Sequence, residues 1–189
     1  VAGDSFLKLG IGIMVVVSYI AAGNAINDYF DFKIDRINNP NRPLPSEQIS
    51  KQSVLYIAIL GFILGLGLTF PILNLMTGVI SVLTAVLLIL YTPIFKNTVL
   101  WGNFVVSLVL GATFLFITSI FDQPWTGLIP GLLAFIFNFI REIIKDMEDI
   151  KGDKQEGLKT FPVQYGLEWS RNVVIGGIIL TVASLPLPY

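Results

Sequence analysis

The sequence of 189 residues contains no cysteine and no histidine. The absence of cysteine excludes disulfide bonds, thiol redox chemistry and cysteine metal sites. The absence of histidine removes the commonest metal ligand and the commonest general base. Any metal site in this chain must therefore be built from oxygen ligands, and these suit a hard cation such as Mg²⁺.

Charged residues are also scarce. They make up 13% of the chain, whereas 54% of the residues are hydrophobic, and a soluble domain carries about 25% charged residues. We therefore expect an all-α fold, a multi-span transmembrane helical bundle. The net charge of −1 gives no sign of nucleic-acid binding, and we infer neither a nucleic-acid partner nor an obligate protein partner.

A transmembrane helix needs about 20 apolar residues, and the sequence contains six segments of this kind. The first is too long for the apolar region of a signal peptide and runs into acidic residues, so we expect no cleavable signal peptide. The polar loops at 27–51, 92–102 and 145–170 should all lie on one side of the membrane. The six predicted spans are 6–26, 52–70, 72–91, 103–121, 127–144 and 171–187.

The positive charges favour one orientation in the membrane. Eleven of the twelve lysine and arginine residues lie on the side of the long loops, and only Lys8 lies on the other. Because cytoplasmic loops are enriched in these residues, we expect a multi-pass protein of the cell membrane with its active site on the cytoplasmic side. The eleven residues are Lys33, Arg36, Arg42, Lys51, Lys96, Arg141, Lys145, Lys151, Lys154, Lys159 and Arg171.

An acidic motif follows the first predicted span. On a helix, its three carboxylates and two amides fall within roughly a 100° arc. Like charges at this spacing destabilise a helix unless something positive lies among them. The alternative is a solvated helix end, but polar groups next to a span tend to be functional. The five residues are Asn24, Asn27, Asp28, Asp31 and Asp35.

The same D-x-x-D-x-x-x-D spacing recurs at Asp146, Asp149 and Asp153, again after an apolar span. Two such clusters on two helix ends are the arrangement that would hold two or more Mg²⁺ ions around a diphosphate. The alternative is an ordinary interfacial helix with pairs at i and i+4. If the helix persists past Gly152, the second motif shares one arc with Asn138, Glu142 and Lys145.

Basic and aromatic residues in the loops are candidate phosphate ligands. Arg42 lies among prolines that should fix a rigid turn, and its guanidinium suits phosphate oxygens, although it could instead be a surface residue. Tyr91 and Lys96 lie in the middle loop on the same side. The alternatives are an interfacial aromatic for Tyr91 and a snorkelling cation for Lys96. Lys159 is a weaker candidate of the same kind.

These motifs resemble the UbiA superfamily of intramembrane prenyltransferases. The family's second signature matches Asp146, Asp149 and Asp153, and its Tyr-x-x-x-Lys motif is approximated by Tyr91 and Lys96, with one extra residue between them. The family has nine spans. We therefore expect one domain over 1–189, a fragment with six of the nine spans that lacks the first and last helices. The first signature, N-D-x-x-D-x-x-x-D followed by R-x-x-x-P-x-R-P, matches Asn27, Asp28, Asp31, Asp35, Arg36, Pro40, Arg42 and Pro43.

Within the family, NDYFDFKIDRINNPNRPLPS and REIIKDMEDIKGDKQEG are most similar to archaeal enzymes that make the second ether bond of archaeal lipids. The resemblance implies Mg²⁺-dependent transfer of a geranylgeranyl group from its diphosphate to the hydroxyl of geranylgeranylglyceryl phosphate, a lipid-like acceptor. The proton acceptor stays open between a carboxylate, the released diphosphate and water. Implied Mg²⁺ ligands are Asn27, Asp31, Asp35, Asp149 and Asp153, with Asp28 and Asp146 in direct or indirect contact.

The remaining implied roles concern the substrates. Arg42, Lys96 and Lys145 would offset the charge of the diphosphate. Arg141 or Lys159 would bind the acceptor's phosphate, and Asn24 and Tyr91 would also contact substrate.

Two other functions compete with this one. The first is prenylation of an aromatic acceptor, such as a quinone precursor, by the same fold. The second is transport of a divalent cation or phosphate ester. A transporter should place acids at mid-span or show broken helices there. The acids in this chain lie at span ends on one side, which favours an enzyme.

Overall fold

The computed structural model describes residues 2–72 and 74–184, which form a bundle of α-helices. Short 3₁₀ segments at Phe70–Ile72 and Pro124–Gly127 and a π-helical turn at Tyr91–Phe95 join some of them. The prediction of an all-α membrane bundle is confirmed. The six helices are α1 (Ala2–Asn38), α2 (Lys51–Thr69), α3 (Leu75–Leu90), α4 (Trp101–Ser119), α5 (Leu128–Gln155) and α6 (Phe161–Ser184).

Five of the described helices, α1 to α5, are long and apolar enough to cross a membrane. The sixth predicted span, 171–187, falls within α6 as far as residue 184, and its last three positions lie outside the described residues. Helix α6 begins earlier than predicted, at Phe161, and is interrupted at Gly166, where φ is 86°. The predicted loop 145–170 is therefore much shorter in the structure.

Two helices extend well beyond their predicted spans. Helix α1 continues to Asn38, so the predicted loop 27–51 begins roughly three turns later than expected. Helix α5 runs through Gly152 to Gln155, so that glycine does not end it. Both acidic motifs therefore lie on regular helix, which makes their spacing a spacing along one helix face.

Close helix crossings depend on glycines. A Cβ atom at Gly61 of α2 would lie 2.9 Å from the Cβ atom of Ala22 of α1, and one at Gly65 would lie 2.4 Å from the Tyr19 ring. A Cβ atom at Gly111 of α4 would lie 2.7 Å from the backbone oxygen of Gly131 of α5. Small residues allow membrane helices to approach in this way. Helices α1 and α5 both line one cavity.

A chain of hydroxyl groups joins α1, α2 and α3 inside the bundle. The hydroxyls of Tyr19 and Ser81 lie 2.7 Å apart, and those of Ser81 and Thr69 lie 2.9 Å apart. Thr69 also donates to the backbone oxygen of Gly65 at 2.9 Å. Buried polar groups in a membrane bundle need such partners because lipid offers none. The chain of bonds fixes Tyr19 and Ser81 in the cavity wall.

Contacts between helix ends place the predicted site residues at one end of the bundle. The end of α1 touches the end of α5 through Asn38, and the segment after α3 touches α1 through Lys96. The backbone nitrogen of Lys159, just before α6, donates to Asn97 Oδ1 at 3.0 Å. Both acidic motifs and the three predicted long loops therefore share this end.

Candidate active site

The two acidic motifs meet across the α1–α5 contact. Asn38 Nδ2 donates to the backbone oxygen of Asp149 at 3.0 Å, and the backbone nitrogen of Gly152 donates to Asn38 Oδ1 at 2.9 Å. Asp149 lies near enough to Asp35 for their charges to interact. The structure thus brings together the two motifs that are 118 residues apart in sequence.

The deeper carboxylates of α1 are buried and paired with cations of the chain. Asp31 and Asp35 are 4% and 5% exposed. Asp31 Oδ2 accepts from Lys96 Nζ and, at 2.7 Å, from Asn27 Nδ2. Arg42 Nη1 donates to both oxygens of Asp35, at 3.1 and 3.2 Å. The repulsion expected among these acids is therefore offset by Lys96 and Arg42.

Arg42 is held in place by the turn that follows α1. Its backbone nitrogen donates to the Asn39 oxygen at 3.1 Å, and its own oxygen accepts from the Ser46 nitrogen at 3.0 Å. From this turn Nη1 also reaches Asp28 Oδ1 at 3.4 Å. The turn therefore presents one guanidinium to two acids of the first motif.

Lys96 owes its position to the π-helical turn. The backbone nitrogen of Lys96 donates to the backbone oxygen of Tyr91 at 2.8 Å, which is a hydrogen bond between residues i+5 and i. A π-turn takes one residue more than an α-helical turn, so it accommodates the extra residue between Tyr91 and Lys96. Within the turn, Thr92 Oγ1 donates to Asn27 Oδ1 at 3.1 Å and anchors the segment to α1.

The carboxylates of α5 have different partners. Asp146 accepts from Asn103 Nδ2 of α4 at 2.8 Å, and Asp153, which is 3% exposed, accepts from Thr160 Oγ1 at 3.1 Å. Within the described part of the chain, the Asp149 carboxylate receives no hydrogen bond, although Lys145 and Lys96 lie within range of its charge. Asp149 is thus the acid of the second motif whose carboxylate is free to bind a ligand without losing a hydrogen bond within the described residues.

A cavity of about 620 Å³ lies beside these motifs. Its inner wall is largely apolar and includes Val15, Ile20, Leu88, Val106, Leu110 and Phe116. Its other end is polar, so one space offers an apolar region and a charged region. The predicted site residues that line it are Asn24, Asn27, Asp28, Arg42, Tyr91, Arg141 and Lys145.

The other predicted residues lie outside the cavity lining. Asp31 and Asp35 contact it indirectly, since their partners Asn27 and Arg42 line it. Asp146, Asp149, Asp153 and Lys96 do not line it. The charges of Asp146 and Asp149 interact with that of Lys145, which does. Lys159 is exposed and does not line the cavity.

The oxygen-rich set of donors fits Mg²⁺ in its chemistry. Within residues 2–72 and 74–184, however, no group of three acidic side chains is already arranged around an ion position. Asp31 and Asp35 are engaged by Lys96 and Arg42 instead. A divalent cation bound to these carboxylates would therefore take over part of the role that the two side chains now fill.

Several residues that support the acids belong to none of the motifs that the sequence shows. They are Asn38, Thr92, Asn103 and Thr160. Asn103 gave a usable signal, because it is a polar residue at the start of a predicted apolar span, where polar groups tend to be functional. Thr92 gave none, because its partner Asn27 is far away in sequence. Thr160 gave none either, because it lies in a segment predicted to be a loop.

Comparison with known proteins adds a family. The model of the UbiA prenyltransferase family matches residues 2–189. One relative is the digeranylgeranylglyceryl phosphate synthase of Methanopyrus kandleri, which is 40% identical over 97% of this chain and 68% of its own length. Another is the digeranylgeranylglyceryl phosphate synthase of Methanosarcina mazei, which is 40% identical over 97% of this chain and 64% of its own length. The chain thus spans about two thirds of the length of the curated relatives that it matches.

Solved structures share the fold. One concerned with digeranylgeranylglyceryl phosphate synthase in membranes is 38% identical, with a TM-score of 0.73, and the match covers 97% of this chain and 65% of that one. A UbiA homolog from Archaeoglobus fulgidus bound to GPP and Mg²⁺ is 21% identical, with a TM-score of 0.76, over 93% of this chain and 64% of that one.

Proposed function

The chain belongs to the UbiA prenyltransferase family, and from that premise we propose that it transfers a geranylgeranyl group from geranylgeranyl diphosphate to the free hydroxyl of geranylgeranylglyceryl phosphate. The product is the second ether bond of an archaeal membrane lipid. Relatives of about 40% identity that bear the name digeranylgeranylglyceryl phosphate synthase support this acceptor. The observation that carries the proposal is one cavity with an apolar interior and a charged end beside both acidic motifs.

The donor would bind with its tail among the apolar side chains and its diphosphate at the charged end. Two or more Mg²⁺ ions would be held by the oxygen atoms of both motifs and would act as Lewis acids on the leaving group. The residues that would hold them are Asn27, Asp31, Asp35, Asp149 and Asp153, supported by Asp28 and Asp146.

Three cations of the chain would neutralise the diphosphate. Arg42 and Lys145 line the cavity. Lys96 lies behind it, bonded to Asp31, which is itself bonded to the lining residue Asn27. In the structure, Arg42 and Lys96 are paired with carboxylates, so their charges lie at the site before substrate arrives. A guanidinium fork also matches phosphate oxygens in geometry. We therefore expect these side chains to shift from carboxylate to diphosphate when the donor binds.

The apolar wall would protect the reacting carbon from water. Leu88, Val106 and Leu110 line the interior of the cavity, and a site without water limits hydrolysis of a reactive allylic group. For the acceptor's phosphate we favour Arg141 over Lys159, because Arg141 lines the cavity. The excess of lysine and arginine at this end supports an active site on the cytoplasmic side.

The proposal is tested by incubating the purified chain with Mg²⁺ and radiolabelled geranylgeranyl diphosphate. One reaction receives geranylgeranylglyceryl phosphate and another receives an aromatic quinone precursor. We expect label in an organic-phase ether product with the first acceptor only. Transfer to the aromatic acceptor alone would assign the other activity of the fold, and a folded protein that binds the donor but modifies neither acceptor would contradict the proposal.

A further inference from the structure

One acidic residue of the cavity wall lies outside both aspartate motifs. Glu142 of α5 lines the cavity one helical turn before Asp146, and its side chain is 8% exposed. Among the described residues, Asp28 is the only other acid in the cavity lining. A charged group this buried in a membrane helix is costly and tends to be functional.

The two oxygens of Glu142 differ in their surroundings. Oε1 accepts a hydrogen bond from Arg141 Nη1 at 2.6 Å. Oε2 receives no hydrogen bond from the described residues. Among these residues, every fully buried side-chain oxygen has a hydrogen-bond partner, so Oε2 is not fully buried. Because Glu142 lines the cavity, Oε2 is open to it. Arg141 fixes the orientation of the carboxylate and leaves one oxygen free for a substrate.

Glu142 lines the cavity between the acidic motifs and the apolar interior. Along α5, Asn138 lies one turn deeper and Asp146 one turn nearer the acidic end. On α1, which also lines the cavity, Asn24 lies one turn deeper than Asp28. A prenyl diphosphate with its charged end at the motifs and its tail in the apolar interior would place its C1–O bond at the level of Glu142.

We propose that Glu142 accepts the proton of the acceptor hydroxyl, which rests on the proposed function and extends it. The hydroxyl oxygen forms a bond to C1 of the prenyl group. The bond from C1 to the diphosphate oxygen breaks, and its electron pair leaves with the diphosphate. The hydroxyl proton passes to Oε2 of Glu142 and is later released to water, so that atoms and charges balance.

Other proton acceptors fit the structure less well. Asp28 is 41% exposed in its side chain, is already paired with Arg42 and belongs to the first acidic motif. The sequence contains no histidine. None of the aspartates of the second motif lines the cavity. Released diphosphate and water are therefore the remaining competitors, and the experiment separates them from Glu142.

The test compares Glu142→Gln, Glu142→Asp and a matched control, Glu148→Gln, which changes an exposed glutamate on the same helix. For Glu142→Gln we expect kcat of ether formation to fall by about 10²–10⁴-fold, the usual contribution of a positioned base. KM and binding affinity for geranylgeranyl diphosphate should stay unchanged. Glu142→Asp should recover part of the loss, and Glu148→Gln should match the parent.

A second readout is release of free geranylgeraniol from the donor. Glu142→Gln retains the groups that bind the diphosphate and assist cleavage of its bond to C1. The ratio of donor hydrolysis to ether formation should therefore rise. Parent-like kcat in Glu142→Gln would overturn the inference in favour of diphosphate or water, while ether formation by the parent would leave the proposed function intact. Joint loss of donor binding and thermal stability would also overturn it, because it would show a structural role. A parent protein that forms no ether would contradict the proposed function itself.

Discussion

Asn38 and Gly152 fasten the end of α1 to the acidic segment of α5. Asn38 Oδ1 accepts a hydrogen bond from the backbone nitrogen of Gly152 at 2.9 Å, and Asn38 Nδ2 donates to the backbone oxygen of Asp149 at 3.0 Å. A Cβ atom at Gly152 would lie 2.5 Å from Asn38 Nδ2, so the contact needs glycine there. The separation of the two acidic motifs therefore depends on this pair.

Substitution of Gly152 by alanine should separate the motifs. Because the added methyl group would displace the Asn38 amide, we expect lower transfer activity and a loss of about 1–3 kcal/mol in the free energy of unfolding, as for other overpacked sites. Turnover and thermal unfolding in detergent measure both. The control is Gly176→Ala on α6, where a Cβ atom meets nothing within 4 Å. Parent-like turnover in Gly152→Ala would show that the contact does not set the site.

Each acidic motif should be indispensable on its own. We expect Asp31→Ala and Asp149→Ala to lower turnover by at least about 10²-fold, the scale for losing one electrostatic contact to a reacting group, while the protein still inserts into the membrane. Labelled product and membrane-fraction yield are the measurements. Asp4→Ala is the control, because Asp4 is exposed and paired with Lys8 at the other end of the bundle. Near-normal rates in either active-site variant would refute the shared metal site.

Lys96 should compete with Mg²⁺ for Asp31. The variant Lys96→Met leaves a carboxylate that is 6% exposed without its cation, and breaking such a buried pair costs about 3–5 kcal/mol. We therefore expect lower thermal stability without Mg²⁺ and a larger stabilisation by added Mg²⁺ than in the parent. Thermal unfolding at several Mg²⁺ concentrations measures this. Lys33→Met, an exposed lysine on α1, serves as control. Equal Mg²⁺ shifts in variant and parent would contradict the competition.

Much of the site could be predicted because it depends on local periodicity. The positions of Asp28, Asp31 and Asp35 on one helix face follow from 3.6 residues per turn, and the structure has α1 helical through all three. The end of α1 at Asn38 was beyond sequence reasoning. Part of what supports the extension is the contact of Arg42 with Asp35, made by a turn beyond the helix.

Contacts between distant segments were not predictable from pattern. Asn103 reaches Asp146 across the α4–α5 crossing, and nothing near either residue encodes that distance. The π-helical turn that positions Lys96 was not predictable either. The sequence shows only that one more residue separates Tyr91 from Lys96 than in the family's Tyr-x-x-x-Lys motif. Charge and periodicity thus indicate a candidate site, whereas the pairings within it depend on how the helices cross.

The α4–α5 crossing should be sensitive to any side chain at Gly111. A Cβ atom there would lie 2.7 Å from the Gly131 backbone oxygen, which cannot rotate away. Gly111→Ala should therefore force α4 and α5 apart, with a loss of about 1–3 kcal/mol in the free energy of unfolding. Because the same crossing carries the Asn103–Asp146 bond of 2.8 Å, transfer activity should fall as well.

The matched control for this crossing is Gly67→Ala on α2, where a Cβ atom meets nothing within 4 Å. Alanine forms helix better than glycine by about 1 kcal/mol, so this variant should unfold at the same or a higher temperature than the parent. Thermal unfolding in detergent and label transfer are measured for both variants. If Gly111→Ala matches Gly67→Ala in both, the helices tolerate a wider crossing and the position of Asp146 does not depend on it.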